Sequence, residues 1–413
     1  MRERAIRLSV RDPGLERSRL TVGFRFLLAI PHFFWLAGWF SLAVMVAVAN
    51  WIATLISGAP SPMLHRFLST YVRYAVHVSA YLTLAAGPYP GFGGRAGSYP
   101  VDVEIDEPKR QNRWITGFRL FLALPAIVLA ETLLGFGSTA AGGGYASAGV
   151  APTVAFLAWF YCLVRARMAQ GMRDLLAYVI GYSAQVFGYL FLLTDRYANS
   201  DPAVYESANV FRDDPIRVPV EDDLRRSRLT VLFRFPLAIP HFVWMTLWGV
   251  MVFFCAIANW FATLIRGRSP SGFHRFLSAY VRYVTHVYAF VQLIGNPFPG
   301  FTGRPGSYPV DVEIDDRQRQ NRWVTGFRLL LAIPGLVIVS ALTTAASVAA
   351  FFSWFHGLFR AQVPRGLRNL GAFELRYSAQ LYGYILLLTD RYPYSGPSAG
   401  WQLKLAPTAA SES

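Results

Sequence analysis

HRFLSTYVRYAVHV, from His65 to Val78, returns later in the chain as HRFLSAYVRYVTHV, from His274 to Val287. GSYPVDVEID likewise occurs twice without a change, at residues 97–106 and 306–315. The copies keep a constant offset of 209 residues, so no residue has been gained or lost between them. A repeat of this length indicates that both halves of the chain fold in the same way, and we expect a pseudo-twofold axis to relate them.

Composition is typical of an integral membrane protein. Of the 413 residues, 54% are hydrophobic and 15% charged, whereas soluble proteins carry about 25% charged residues. Residues 33–56 and 243–265 contain no charged side chain and exceed the roughly 18 apolar residues that mark a membrane span. The net charge of +15 favours contact with anionic lipid headgroups. Its scatter around apolar segments argues against nucleic acid as a partner.

Each half divides again into two related units. Phe-Arg followed six residues later by proline occurs four times, in units A, B, C and D, which begin at Arg19, Arg113, Arg228 and Arg322. A short segment of alternating apolar and polar residues precedes each unit and predicts a half-buried strand; the four segments are Ile6–Val10, Val101–Ile105, Ile216–Val220 and Val310–Ile314. We assign residues 1–198 to a first membrane repeat, 199–397 to a second, and 398–413 to a largely disordered tail.

These patterns predict an all-α polytopic membrane protein with about eight transmembrane helices, two in each unit. Leu20–Ile30 is interpreted as an amphipathic segment in the interface, bent at Pro31 into the first span. The strands would form a small cytoplasmic β element. The arginine distribution predicts that both termini lie on the cytoplasmic side of a bacterial inner membrane. Unit B carries extra residues at Gly135–Gly149, which leaves open an alternative with three spans per unit and twelve in all.

Polar side chains follow one face of the second predicted helix in each unit. Spacings of three and four residues place them on a single stripe along each helix. Four such helices would together line a polar interior. An ionisable residue inside a span is by default a candidate functional residue, although arginines near helix ends also extend to headgroups. The stripe consists of Arg66, Arg73, His77, Gln185, Arg275, Arg282, His286, Arg376 and Gln380.

A second candidate set lies at the start of each unit. The arginine of each Phe-Arg pair recurs in all four units, which predicts a role in the fold and contact with lipid phosphate. Two histidines follow the proline in units A and C and are interpreted as bend residues or headgroup contacts. The predicted interfacial lipid contacts are Arg25, His32, Arg119, Arg234, His241 and Arg328.

Signatures of common enzymes are missing. The chain has no HExxH, GxSxG, P-loop or paired CxxC motif. Cys162 and Cys255 lie in apolar runs at positions that the repeat does not equate, which predicts neither a disulfide nor a metal site. We therefore expect no cofactor and no bound metal, and catalysis is the least favoured of the functions considered.

The sequence resembles a known bacterial membrane family. RLTVxFRxxLAIPHF, a long apolar run, and a helix that begins with Arg-Tyr and ends in LLTDRYP together resemble domain of unknown function 4389, in tandem copies. The likeness extends over all four units and is weakest in unit B, because of its insertion. This resemblance implies a membrane domain and supplies no activity, substrate or site residue.

Two functions from different classes remain open at this point. The first is a membrane accessory or scaffold protein that binds anionic lipid, or a protein partner, through arginine-rich interfacial elements. The second is a transporter or channel for an anion or small acidic solute. The polar stripe and the repeat symmetry favour this function.

Overall fold

The computed structural model describes residues 5–11, 14–135, 149–202 and 214–397. These residues are mostly helical and include two small sheets. They form two compact halves: the first runs to Ser200 and also includes Ser395–Pro397, and the second runs from Asp201 to Tyr394. Most of the unit B insertion and the tail from residue 398 onward lie outside the described residues.

The first half contains units A and B. Its strands and helices are β1 (Ile6–Val10), α1 (Arg19–Gly23), α2 (Arg25–Ser57), α3 (Pro62–Leu82), β2 (Val101–Ile105), α4 (Arg113–Gly117), α5 (Arg119–Leu134), α6 (Val150–Arg165) and α7 (Gln170–Leu190).

The second half repeats this order. It contains β3 (Ile216–Arg217), α8 (Arg228–Leu232), α9 (Arg234–Arg266), α10 (Ser271–Val291), β4 (Glu313–Ile314), α11 (Arg322–Arg360) and α12 (Arg365–Ile385). Helix α11 is continuous over the stretch that unit B divides among α4, α5 and α6.

The long helices α2, α9 and α11 form an outer layer in their halves. They have 33, 33 and 39 residues and are, among the described residues, the three helices long and apolar enough to cross a membrane. Only 17% of the most apolar stretch of α2 is buried. Its buried residues recur at intervals of three, four, seven and eleven positions from Arg25 to Thr54, which are close to whole helical turns, so α2 packs through one narrow seam. The rest of its surface is apolar and exposed, as expected of a helix in contact with lipid.

Helices α3, α7, α10 and α12 are the central layer. Helix α3 packs between α2 and β2, and α7 packs between α5 and β1. Although these helices are buried, they carry arginine, histidine, glutamine and glutamate side chains. Their polarity keeps them outside the set of candidate spans, so the eight predicted spans are not confirmed.

The predicted strands pair within each half. Strand β1 pairs antiparallel with β2, in a register that joins Ile6 to Ile105 and Val10 to Val101. In the second half only Ile216–Arg217 pairs with Glu313–Ile314, followed by an isolated bridge between Val220 and Val310. Pro219 stands where the first half has Ser9, and the ladder is interrupted there because proline has no N–H to donate.

The two units of each half run in opposite directions. Helix α1, at the start of unit A, packs against α6, while α4, at the start of unit B, packs against α2. The backbone N–H of Gln111 donates to the carbonyl of Gly58, at the far end of α2 from Arg25. The starts of units A and B therefore lie at opposite ends of the helix layers. If the long helices cross the membrane, the starts of the two units of a half lie on opposite faces, so the eight-span prediction, which needs all unit starts on one face, does not fit either half.

The predicted boundary between the interfacial segment and the first span does not fall at Pro31. Helix α2 continues through Pro31, and the break falls at Phe24, between α1 and α2. Phe118 and Phe233 mark the same break in units B and C. Proline removes one backbone donor, and Pro31 lies on the exposed side of the helix.

Candidate functional site

The polar stripe on α3 meets a carboxylate on β2. Nε2 of His77 lies 3.0 Å from Oδ1 of Asp102, and Nε of Arg73 lies 3.3 Å from the same oxygen. The backbone N–H groups of Gly97 and Val103 also donate to this carboxylate, at 2.5 and 2.8 Å. Asp102 thus gathers a guanidinium, an imidazole and two backbone donors in a buried position.

The second half builds the same cluster. Nε2 of His286 lies 2.9 Å and Nε of Arg282 lies 3.4 Å from Oδ1 of Asp311. The N–H groups of Gly306 and Val312 again donate to the carboxylate. We call the two groups the aspartate clusters.

Hydrogen bonding keeps both aspartates charged. Burial alone would raise the pKa of the Asp102 and Asp311 carboxyl groups, because a buried charge loses solvation. The hydrogen bonds from the histidine and from two backbone N–H groups stabilise the charged form and outweigh this effect, so each pKa lies below its ordinary value.

The aspartate clusters hold a loop and a strand against the central helix. The His77 and His286 rings lie against Tyr99 and Tyr308, with centroids 5.0 and 5.1 Å apart. The Nδ1 atom of His286 has no hydrogen-bond partner, but it is buried. A substrate therefore cannot approach it, as the substrate of a general base must. Among the described residues, no group of three or more histidine, cysteine or acidic side chains is placed to bind a metal. The geometry is that of a structural contact, which fixes the loop and the strand segment to the central helix.

The other stripe residues do not join these clusters. Arg66 and Arg275 are exposed on their helices. The amide groups of Gln185 and Gln380 bond the backbone of Asn199 and Tyr394, in the segments that follow their own helices. Arg376 donates to the carbonyl of Tyr394. Within each half, the stripe therefore serves several local contacts and does not line one shared polar interior.

The arginines predicted as lipid contacts are buried. Arg25, Arg119, Arg234 and Arg328 are 1–2% exposed. Each donates to a carbonyl at the end of the central helix of its own unit, the acceptors being Tyr81, Tyr189, Phe290 and Tyr384. Each guanidinium also lies over the ring of that same residue, 4.3–4.4 Å from its centroid. The last carbonyls of a helix have no partner within it, and the four arginines satisfy them. The prediction that they contact headgroups is corrected accordingly.

The two predicted histidine contacts are internal as well. Nδ1 of His32 lies 2.7 Å from the hydroxyl of Tyr74, and Nδ1 of His241 lies 2.9 Å from that of Tyr283. Both histidines are fully buried. They are contacts between an outer and a central helix, out of reach of a headgroup.

A different set of arginines is exposed at the unit starts. Their guanidinium groups donate to carbonyls near the C-terminal ends of α6, α2, α11 and α9, respectively: Arg19 to Val164, Arg113 to Ile56, Arg228 to Phe359 and Arg322 to Ile265. Among the described residues they have no acidic partner. The next residue in each case is a large apolar side chain, 68–78% exposed: Leu20, Trp114, Leu229 and Trp323. The Arg-Leu and Arg-Trp pairs at the head of each repeat were the sequence signal for this set.

A buried carboxyl group in α12 was also missed from the sequence. Glu374 is 3% exposed and lies on a partly open cavity of about 300 Å³ between helices of the second half. It stands in GAFELRY, an otherwise ordinary stretch, and the equivalent position in α7 is Val179. An acid present in one copy of a repeat and absent from the other was the available signal.

Comparison with known proteins identifies a family and no individual relative. Residues 19–93, 228–302 and 322–395 match the model described as Domain of unknown function (DUF4389). The matched ranges correspond to units A, C and D, while unit B, with its divided outer helix, lies outside them. No curated protein and no solved structure matches the chain.

Proposed function

Since the chain belongs to the DUF4389 family, for which no function is defined, we propose a function from geometry alone: it is a membrane accessory protein that binds anionic lipid. The observation that carries this proposal is the set of exposed Arg-Leu and Arg-Trp pairs at the four unit starts. Each pair offers a cation that has no acidic partner in the described part of the chain, beside an exposed apolar side chain. This combination suits the interface between acyl chains and phosphate groups.

The outer helices supply the apolar contact that such a role needs. Large side chains such as Phe34, Met45 and Phe253 are more than 60% exposed along them. A continuous apolar surface of this size is unfavourable in water and favourable among acyl chains. The bacterial inner membrane is the location we propose.

The orientation we propose lays the outer helices along the membrane. The exposed ion pair between Arg7 and Glu104 lies on the sheet, beside the middle of α3, where Arg73 bonds Val103. If α2 crossed the bilayer, this pair would sit near its centre at a cost of several kcal/mol. Helices of 33 residues also exceed the roughly 20 that a span requires. With the helix layer in lipid and the sheet in water, both ends of α2 face the cytoplasm.

The transporter hypothesis has less support in the geometry. Its motive was a shared polar interior, and the arginines and histidines of the stripe that are buried already have partners within the fold.

The lipid proposal predicts which arginines retain anionic lipid. A variant with Arg19, Arg113, Arg228 and Arg322 changed to glutamine, purified in mild detergent, is expected to lose at least half of its bound phosphatidylglycerol by native mass spectrometry. Glutamine retains an N–H donor for the helix-end carbonyl, so the fold should survive. The matched control changes four other exposed arginines, Arg95, Arg110, Arg304 and Arg319, to glutamine. Equal lipid loss in both variants, or none in either, would contradict the proposal.

A further inference from the structure

The second half contains a partly open cavity that the lipid contacts do not use. It has a volume of about 300 Å³ and is lined by side chains of α9, α10, α11 and α12. Most of the lining is apolar, including Val281, Val339 and Ala379. One of its walls is Thr343, near the middle of α11.

The polar feature of this cavity is Glu374. Its carboxylate accepts hydrogen bonds from Thr343 at 3.0 Å, from Ser378 at 2.6 Å and from the Gln292 amide at 3.2 Å. No arginine, lysine or histidine of the described residues lies within ion-pair distance of it. Isolating a carboxylate in an apolar interior is strongly unfavourable, and neutral donors offset only part of this cost. A cation in the cavity would complete the site.

The polar atoms near Glu374 also include hydrogen-bond acceptors that a ligand with N–H groups could bind. Gln292 must turn its amide nitrogen toward Glu374, because only the nitrogen can donate to a carboxylate. This orientation leaves Oε1 of Gln292 buried without a hydrogen-bond partner. Tyr288 and Tyr382 also line the cavity and interact electrostatically with Glu374, and their hydroxyl oxygens can accept hydrogen bonds. The site therefore offers several acceptors around one negative charge.

We propose that this cavity binds the ammonium group of a small primary alkylamine. An ammonium group has three donors and no acceptor, which matches the Glu374 carboxylate and the free Gln292 oxygen. The electron-rich rings of Tyr280, Tyr288 and Tyr382 suit a cation, and the apolar walls suit an alkyl chain. At about 30 Å³ for each water-sized group, the cavity has room for a chain of a few carbons.

The first half lacks this site. Val179 and Thr83 stand at the positions of Glu374 and Gln292, so neither the charge nor the amide is present. Since the repeat fold forms without them, the pair is not required by the architecture.

Binding of n-hexylammonium chloride to the full chain in phosphatidylglycerol nanodiscs tests the proposal. Titration calorimetry should show saturable binding of one equivalent, with 1-hexanol at least tenfold weaker. Glu374→Gln should weaken n-hexylammonium at least tenfold while leaving 1-hexanol within threefold. Glu313→Gln, which removes an exposed carboxylate, should change neither.

A second variant separates loss of the site from loss of the fold. Ala379→Leu fills part of the cavity and retains Glu374. It should weaken the binding of both n-hexylammonium and 1-hexanol while leaving the circular dichroism spectrum unchanged. Absence of saturable amine binding to the unmodified protein, equal affinity for the alcohol, or an unchanged affinity in Glu374→Gln would overturn the proposal. Displacement of the amine by millimolar sodium chloride would equally overturn it, in favour of a metal-ion site.

Discussion

At the scale of single residues, His77 and His286 pair with Asp102 on β2 and with Asp311 just before β4. In each case the helix histidine and an aspartate 25 positions later in the chain meet in a hydrogen bond with little exposure to solvent. The arginine one helical turn before each histidine adds a positive charge. Removing one member of such a buried group leaves its partners unsatisfied.

This pairing makes the stability of the protein depend on Asp102 and Asp311. The double variant Asp102→Asn with Asp311→Asn should lower the free energy of unfolding at pH 7 by about 2 kcal/mol or more per site. Because the folded pKa of each carboxyl lies below its ordinary value, this stabilisation is present near neutrality. It is lost as the pH falls through the ordinary aspartate pKa toward the folded value.

Thermal melting in detergent between pH 7 and pH 3 measures this effect. The melting temperature of the unmodified protein should exceed that of the double variant by less and less as the pH falls. The control Glu104→Gln with Glu313→Gln removes exposed carboxylates from the same strands and should melt close to the unmodified protein at pH 7. A constant difference in melting temperature at every pH would contradict the assignment.

At the scale of elements, the loops after α3 and α10 return along these helices and touch their backbones. Gly94 and Gly303 make this approach possible. Both have positive φ, and a Cβ added at Gly303 would lie 2.1 Å from the carbonyl oxygen of Ala279. A backbone atom cannot move aside as a flexible side chain can, so only glycine fits there.

Gly303→Ala should therefore destabilise the second half markedly. We expect a loss of about 2 kcal/mol or more, from the clash and from the strained backbone together. Gly300, in the same loop, has no atom within 4 Å of an added Cβ and no positive φ, so Gly300→Ala serves as the control. Denaturation followed by tryptophan fluorescence measures both, and equal stability of the two variants would show that the loop can move away from α10.

At the scale of the whole molecule, the inverted order of the units decides how each half can meet a membrane. The starts of units A and B lie at opposite ends of the layers, yet β1 and β2 pair with each other. Neither the eight-span arrangement nor the twelve-span alternative combines these two features. The former needs both unit starts on one face, and the latter needs the strands on opposite faces.

The proposed orientation along the membrane predicts the labelling of two positions at opposite ends of α2. Single cysteines at Ser18 and Ser57, in a background without Cys162 and Cys255, should both be protected from an impermeant thiol reagent in intact cells. Both should react once the membrane is permeabilised, because both ends of the helix face the cytoplasm. Cysteine at Ser98, an exposed loop position, is expected to behave in the same way.

The opposite pattern has a clear meaning. Labelling at Ser57 in intact cells while Ser18 stays protected would show that α2 crosses the bilayer, and the orientation proposed for the outer helices would then fail. The exposed arginine pairs at the unit starts would still be available for lipid phosphate on both faces.

The repeat, the long apolar helices and the positions of the strands could be predicted from the sequence, because they depend on local patterns. Apolar runs and alternating segments act over a few residues, and a constant offset is visible without any structure. The shorter strands of the second half also have a local cause, the proline at position 219.

The roles of the arginines, in contrast, depended on the tertiary structure. Arg25 and Arg19 lie six residues apart at the same border of an apolar run, and nothing local shows that the first is buried and the second exposed. The difference arises because the end of α3 returns to Arg25 with unpaired carbonyls, whereas Arg19 meets the end of α6, more than a hundred residues away in the chain. Burial and hydrogen-bond partners are set by elements distant in sequence, and the inverted packing of the two units brings those elements together.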